Sequence, residues 1–198
     1  MGLIDALALT PPVLLGHSMG GMTAAVVAAR GQRRLRGLIL VDPTFLSPAR
    51  QREVFASDVA EQHRRMLGRP PAELVALARA RNTRRSDELV GLQAEARLAT
   101  SLHAFDVLTP PNPPYRDLVR AFAVPTLLVI GDSPVVTAAT AAELASLNPR
   151  LRVAQIAEAG HGLPFDQPDR LAEQVVAFLA ELSSPTTPDP PTTPNPPS

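Results

Sequence analysis

A serine stands between two glycines in Gly16-His17-Ser18-Met19-Gly20, after the apolar run Val13-Leu14-Leu15 and before a small-residue helical pattern over residues 22–30 that stops at Gly31. Gly-x-Ser-x-Gly at a strand-to-helix junction is the spacing of a nucleophile elbow. Glycine is expected at 16 and 20 because the strand and the helix pass too close for a Cβ. Such a turn exposes the Ser18 hydroxyl at the C-terminal edge of a sheet. It also sets the backbone N–H of Met19 at the helix start, where it can face a developing oxyanion. The pattern alone is weak, since glycine and serine are common residues. The buried strand before it and the helix after it favour the elbow over a plain glycine turn.

A serine hydroxyl needs a base within hydrogen-bond reach to act as a nucleophile. The histidines are His17, His63, His103 and His161. His17 adjoins Ser18, but its side chain is expected to point away and form a wall of the site that touches substrate. His63 and His103 fall in a helical region as surface or packing residues. His161, in Ala159-Gly160-His161-Gly162, follows an apolar alternation at 151–156, and its loop returns to the same sheet edge as Ser18. It is the expected base.

The elements that must hold these groups read as alternating strands and helices. Leu38-Ile39-Leu40-Val41, closed by Asp42-Pro43, and Thr126-Leu127-Leu128-Val129-Ile130, closed by Gly131-Asp132, are continuous apolar runs. Such runs suit parallel strands covered on both faces. Residues 151–156 alternate and suit a more exposed strand. Residues 137–147 read as a helix stopped by Asn148-Pro149. Asp166 can cap a last helix whose stripe is Leu171, Val175, Phe178, Leu179 and Leu182. The order implies an α/β fold with a parallel sheet and right-handed crossovers.

Residues 47–123 interrupt this order with Arg, Ala and Leu-rich helical sequence, helix starts at Pro70-Pro71 and Ser86, and a Pro-rich connector at 109–114. The division expected is a core segment 1–46, a helical insertion 47–123, a second core segment 124–184 and a tail 185–198. Arg79, Arg81, Arg84 and Arg85 offer either a seat for an anionic substrate or, more commonly, a solvated helix face.

Composition narrows the class. The 198 residues carry 19 basic and 19 acidic side chains, and no Cys. Zero net charge argues against a general nucleic-acid or anionic-membrane binder, and the lack of Cys excludes disulfides, thiolate metal sites and thiol catalysis. Every basic residue is Arg, so a Walker-type lysine loop and Schiff-base chemistry are excluded. No metal or organic cofactor is implied. Residues 3–15 are apolar, but Asp5 and Pro11-Pro12 interrupt them and no basic residue precedes them, so the reading is a cytoplasmic protein without a signal peptide. Of the 22 prolines, many crowd the segment 185–198, expected to be a disordered, polyproline-like tail.

Gly-His-Ser-Met-Gly-Gly at 16–21, Val-Asp-Pro at 41–43, the helical insertion, Pro-Thr-Leu-Leu-Val-Ile-Gly-Asp at 125–132 and Gly-His-Gly at 160–162 together resemble the α/β-hydrolase fold family. The likeness runs over about residues 8–182 and is nearest the cap-bearing esterase, carbon–carbon hydrolase and cofactor-free haloperoxidase-like branch. It implies Ser18 as nucleophile, His161 as base and an acid from the loop after residues 126–130. In the family that acid commonly sits where this chain has Pro134, which leaves Asp132 as the first choice and Asp42, at the end of the preceding strand, as the second; a dyad without an acid is the remaining option. The family's sheet has eight strands with the elbow after the fifth, so the resemblance implies the C-terminal half of an α/β-hydrolase fold, about four parallel strands with flanking helices and a helical cap. On that reading the N-terminal strands are lacking, Met1 is open to question as the true start, and Val13, Leu14 and Leu15 form an exposed edge open to self-association.

The implied activity is hydrolysis of a small ester or related carbonyl compound, with substrate size set by the cap. Phe45, Leu46, Phe55 and Phe105 are candidates to line the pocket, each with core packing as the alternative. The competing expectation is a truncated, inactive hydrolase fragment or a binding and assembly module. A lyase, acyltransferase or perhydrolase can be built on the same triad.

Overall fold

The computed structural model describes residues 2–9, 11–31, 34–81 and 85–183. The Pro-rich tail and Arg84 lie outside the described residues. A short helix α1 (Gly2–Ala6) precedes strand β1 (Val13–His17) and helix α2 (Met19–Arg30). Strand β2 (Gly37–Val41) leads into the insertion, α3 (Pro48–Phe55), α4 (Val59–Leu67), α5 (Pro71–Arg81), α6 (Asp87–Ala99), a 3-10 turn (Leu102–Leu108) and α7 (Tyr115–Arg120). Strand β3 (Thr126–Ile130), α8 (Ala138–Leu147), β4 (Leu151–Gln155), α9 (Leu163–Asp166) and α10 (Pro168–Ser183) complete the chain.

The four strands form one parallel sheet in the order β1-β2-β3-β4. Every residue of β2 and β3 is buried, because these central strands have a layer of helices on each face. Their side chains alternate between the layers. Leu38, Leu40, Leu128 and Ile130 pack with Ala24, Ala25 and Ala28 of α2 and Leu144 of α8, while Ile39, Val41, Leu127 and Val129 pack with Leu163 and Phe178 on the other face. Burying each such side chain contributes roughly 1.5–3 kcal/mol. The outer strands read differently: β4 buries Leu151 but exposes Arg152, and β1, paired only with β2 among the described residues, leaves Leu15 49% exposed.

The insertion divides by what it packs against. Tyr115 and Val119 of α7, with Phe122, belong to the core cluster shared by α2 and α8. Asn148 holds the junction, donating from Nδ2 to the carbonyls of Val119 at 2.7 Å and Phe122 at 2.9 Å. On the surface beside it, Arg116 forks onto the Glu143 carboxylate, and that pairing holds the carboxyl below its ordinary range. Phe45 lies in the same cluster, only 4% exposed and stacked on Tyr115 at 5.1 Å between ring centroids. It is a core residue, which corrects the expectation that it lines a substrate pocket.

Asp166 also departs from expectation. Rather than capping α10, its carboxylate accepts from the Gly160 N–H at 3.2 Å and from Arg85 at 3.0 Å. One donor comes from the loop after β4 and the other, a guanidinium, from the insertion just before α6, and a charge-assisted pair of this kind outweighs a cap. No helix among the described residues is long and apolar enough to cross a membrane.

Candidate active site

Strand β1 turns into α2 at Ser18, whose backbone has φ 55° and ψ −121°. A non-glycine residue in such a conformation costs about 1–3 kcal/mol and persists only where its surroundings over-determine it. Here the Ser18 N–H donates to the Val41 carbonyl at 3.1 Å, and the Ser18 carbonyl accepts from Met22 and Thr44 at 3.2 and 3.1 Å. The turn is tight on one side only. A Cβ on Gly16 would meet the Gly20 carbonyl oxygen at 2.3 Å, and one on Gly21 would meet the Pro43 side chain at 2.8 Å, whereas nothing lies within 4 Å of one on Gly20. The close-approach glycines are therefore Gly16 and Gly21, not Gly16 and Gly20.

This difference is testable. Gly16→Ala places a methyl against backbone that cannot swing aside and is expected to cost about 3 kcal/mol or more, the upper range for overpacking. Gly20→Ala, inside α2 with free space, is expected to keep or raise stability by up to about 1 kcal/mol. Denaturant midpoints of the two variants check the contrast.

The elbow presents the Ser18 Oγ 2.9 Å from His161 Nε2. His161 Nδ1 lies 2.6 Å from Asp42 Oδ2. For the serine to donate to Nε2, the imidazole proton must sit on Nδ1 and point at Asp42, so the tautomer follows from the two partners. Asp42 directly follows β2 and is fully buried. The backbone N–H groups of Val135 and Val136 each donate to its carboxylate at 2.9 Å. Its carboxylate, itself closed to solvent, thus accepts from three donors, and no buried polar side-chain atom among the described residues lacks a partner.

Asp132, the first choice from the sequence, is elsewhere. Its carboxylate accepts from the Glu158 N–H at 2.7 Å and from Gln155 Nε2 at 3.2 Å, tying down the turn after β4. That turn contains Glu158 at φ 61°, a conformation that gains from a fixed hydrogen bond. The loop after β3 supplies Asp42 with N–H groups instead of supplying His161 with a carboxylate. The signal for this was the proline at 134 together with Asp42 at the mouth of the neighbouring strand.

His17 Nε2 donates to the His161 carbonyl at 2.8 Å, and the two rings are 5.1 Å apart. His17 therefore holds the backbone of the loop that carries His161. Phe165 meets the His17 ring edge-on at 6.5 Å. Met19 opens α2, so its N–H has no acceptor within its own helix. His63 is buried, donates to the Thr100 carbonyl at 2.9 Å and packs on Phe105, while His103 is exposed; neither approaches this constellation.

A groove of about 600 Å³ runs along the outer side of α2 and α3. Met19, Met22, Leu46, Val107 and Val135 make it largely apolar; of the four residues expected to line a pocket, Leu46 lines this groove and Phe45 does not. Met19 adjoins Ser18 in sequence and Val135 donates to Asp42, so two of the groove's lining residues are neighbours of the constellation. Chemically, a serine hydrogen-bonded to an imidazole that is itself oriented by a buried carboxylate is an arrangement for acyl transfer.

Comparison with known proteins shows the family. The family model described as the alpha/beta hydrolase family matches residues 2–174. An N-formylmaleamate deformylase of Pseudomonas putida is 32% identical over 179 residues, covering 83% of this chain. An sn-1-specific diacylglycerol lipase of Mus musculus is 28% identical over 196 residues, covering 90% of it. The chain spans 62% of the length of each of these two relatives. Among solved structures, a thermophilic esterase from Thermogutta terrifontis superposes with a TM-score of 0.70 at 26% identity, over 92% of this chain and 70% of that one. An E-2-(acetamidomethylene)succinate hydrolase gives the same TM-score at 21% identity, over 90% and 70%, a likeness of fold. With a parallel sheet, a strained serine between β1 and α2, and a family match over nearly the whole described chain, this protein belongs to the alpha/beta hydrolase family.

Proposed function

We propose that this chain is a serine hydrolase that cleaves a small ester or related carbonyl compound through Ser18, His161 and Asp42. The observation that carries the reading is the unbroken line from Ser18 Oγ to His161 Nε2 at 2.9 Å and from His161 Nδ1 to Asp42 at 2.6 Å. Ser18 Oγ attacks the substrate carbonyl carbon while its proton passes to His161 Nε2. Asp42 stabilises the imidazolium that forms. The oxyanion faces the Met19 N–H at the positive end of α2. As the tetrahedral species collapses, His161 returns the proton to the leaving alcohol or amine, leaving an acyl group on Ser18. Water, deprotonated by the same imidazole, then releases the acid. The apolar groove beside α2 suits the hydrocarbon part of the leaving alcohol.

The hydrolase names of the relatives support this class, and the substrate within it rests on the site. An organophosphonate carrying a good leaving group mimics the tetrahedral species and tests the reading directly. The expected outcome is one covalent adduct, found by mass spectrometry on the peptide that contains Ser18. An unmodified protein, or an adduct on another residue, would sink the proposal.

A further inference from the structure

A second hollow, of about 560 Å³, lies within the insertion between α4, α5, α6 and α9. Among the described residues, three guanidinium groups line it, those of Arg81, Arg85 and Arg97, and no carboxylate does. Arg85 is paired with Asp166 at 3.0 Å, with side chains 16% and 27% exposed, and it donates to Gln93 at 3.1 Å. Arg81 and Arg97 have no carboxylate in ion-pair reach among the described residues; Arg97 touches only the sulfur of Met66, at 3.1 Å. Their neighbour Arg79 differs, being paired with Asp87 on the surface. The rest of the wall is apolar, including Leu74, Leu77 and Phe105.

A concave surface with cations and no counter-charge concentrates anions, and a planar guanidinium matches a carboxylate with two parallel hydrogen bonds. The hollow also borders the catalytic loop. Phe165 lines it and meets the His17 ring, and Arg85 stacks over Phe165 at 5.2 Å. Arg85 also crowds Gly162, next to His161, where an added Cβ would lie 2.5 Å from its Nη2.

We infer that this hollow holds the free carboxylate of the substrate, so that the preferred substrate is an ester bearing a second, unesterified acid group. Arg81 and Arg97 bind the anion, the apolar wall takes the intervening carbon chain, and Phe165 forms the passage to Ser18. The inference rests on the proposed role of Ser18 and deepens it. It adds no chemical step, because the carboxylate is bound and not transformed.

Monoethyl adipate and ethyl hexanoate present acyl chains of the same carbon count with and without the anion. The wild-type chain is expected to favour monoethyl adipate in kcat/KM by about tenfold or more, the worth of one charge-assisted contact. Arg81→Gln and Arg97→Gln should each raise KM for monoethyl adipate with kcat held, and leave ethyl hexanoate unchanged. Arg97→Lys should fall between. Both arginines are exposed enough that neither replacement threatens folding. Equal treatment of the two esters by the wild-type chain, or a preference that survives both replacements, overturns the inference.

Binding separates this from the proposed chemistry. In the Ser18→Ala chain, calorimetry should show monoethyl adipate binding that the two Arg→Gln changes abolish. That binding without turnover in the wild-type chain would uphold the hollow and sink the hydrolase reading. Absence of binding to Ser18→Ala would overturn the hollow alone.

Discussion

Asp42→Asn is expected to lower kcat for ester hydrolysis by about 10⁴, the effect of replacing the carboxylate that orients the histidine in such a relay. The loss follows from the tautomer. An amide at 42 can present its NH2 group to His161 Nδ1, which drives the imidazole proton onto Nε2 and leaves Ser18 without an acceptor. The same NH2 group replaces the oxygen that accepts from the Val135 N–H at 2.9 Å, while Val136 keeps the other oxygen. One buried donor left unsatisfied costs about 1–3 kcal/mol, so the thermal midpoint falls as well. Asp132→Asn provides the contrast. It keeps an oxygen for the Glu158 N–H on an exposed turn and should leave kcat within about twofold, as surface changes do. A kcat ratio between the two variants near unity would place the acid elsewhere.

His161→Ala and Ser18→Ala should each remove about 10⁴ to 10⁶ of kcat, and the double replacement should remove no more than the worse single one, because members of a relay act as a unit. Independent contributions would instead multiply. The His161 replacement has a second effect, since its ring also contacts His17. The His17 hydrogen bond goes to the backbone carbonyl at 161 and survives in the alanine variant, so the loop is expected to stay in place. Circular dichroism and the thermal midpoint of His161→Ala should therefore stay close to those of the wild-type chain while its activity collapses.

Much of the frame was legible because its signals are local. The runs at 38–41 and 126–130 are unbroken apolar segments closed by Asp-Pro and Gly-Asp, and they became the two fully buried strands. The elbow was legible because glycine, serine and helix-forming residues follow a strand at one fixed spacing. Helix α2 nevertheless starts at Met19, three residues before its apolar pattern, since Ser18 already ends the strand.

The remainder depended on where side chains point after the chain has crossed the sheet. Asp42 and Asp132 both follow an apolar strand and look alike in sequence. Which one meets His161 is set by the turn after β4, which engages Asp132, and by the loop after β3, whose N–H groups gather on Asp42. Phe45 and Leu46 are adjacent and equally apolar, yet one stacks in the core and the other lines the groove. Asp166 had the position of a helix cap, but Arg85, 81 residues away in the chain, engages its carboxylate. Arg79 and Arg81 could not be told apart until Asp87 was seen to pair with only the first. For Asp42, Phe45 and Asp166 the decisive partner is distant in sequence.

The most direct test of the account compares release of 4-nitrophenol from 4-nitrophenyl butyrate by this chain and by its Ser18→Ala variant at equal concentration. Turnover by the first that falls by about 10⁴ or more in the second is the result predicted. Equal rates, whether both are measurable or both match the rate in buffer, would contradict the assignment of Ser18 as the nucleophile of an active hydrolase.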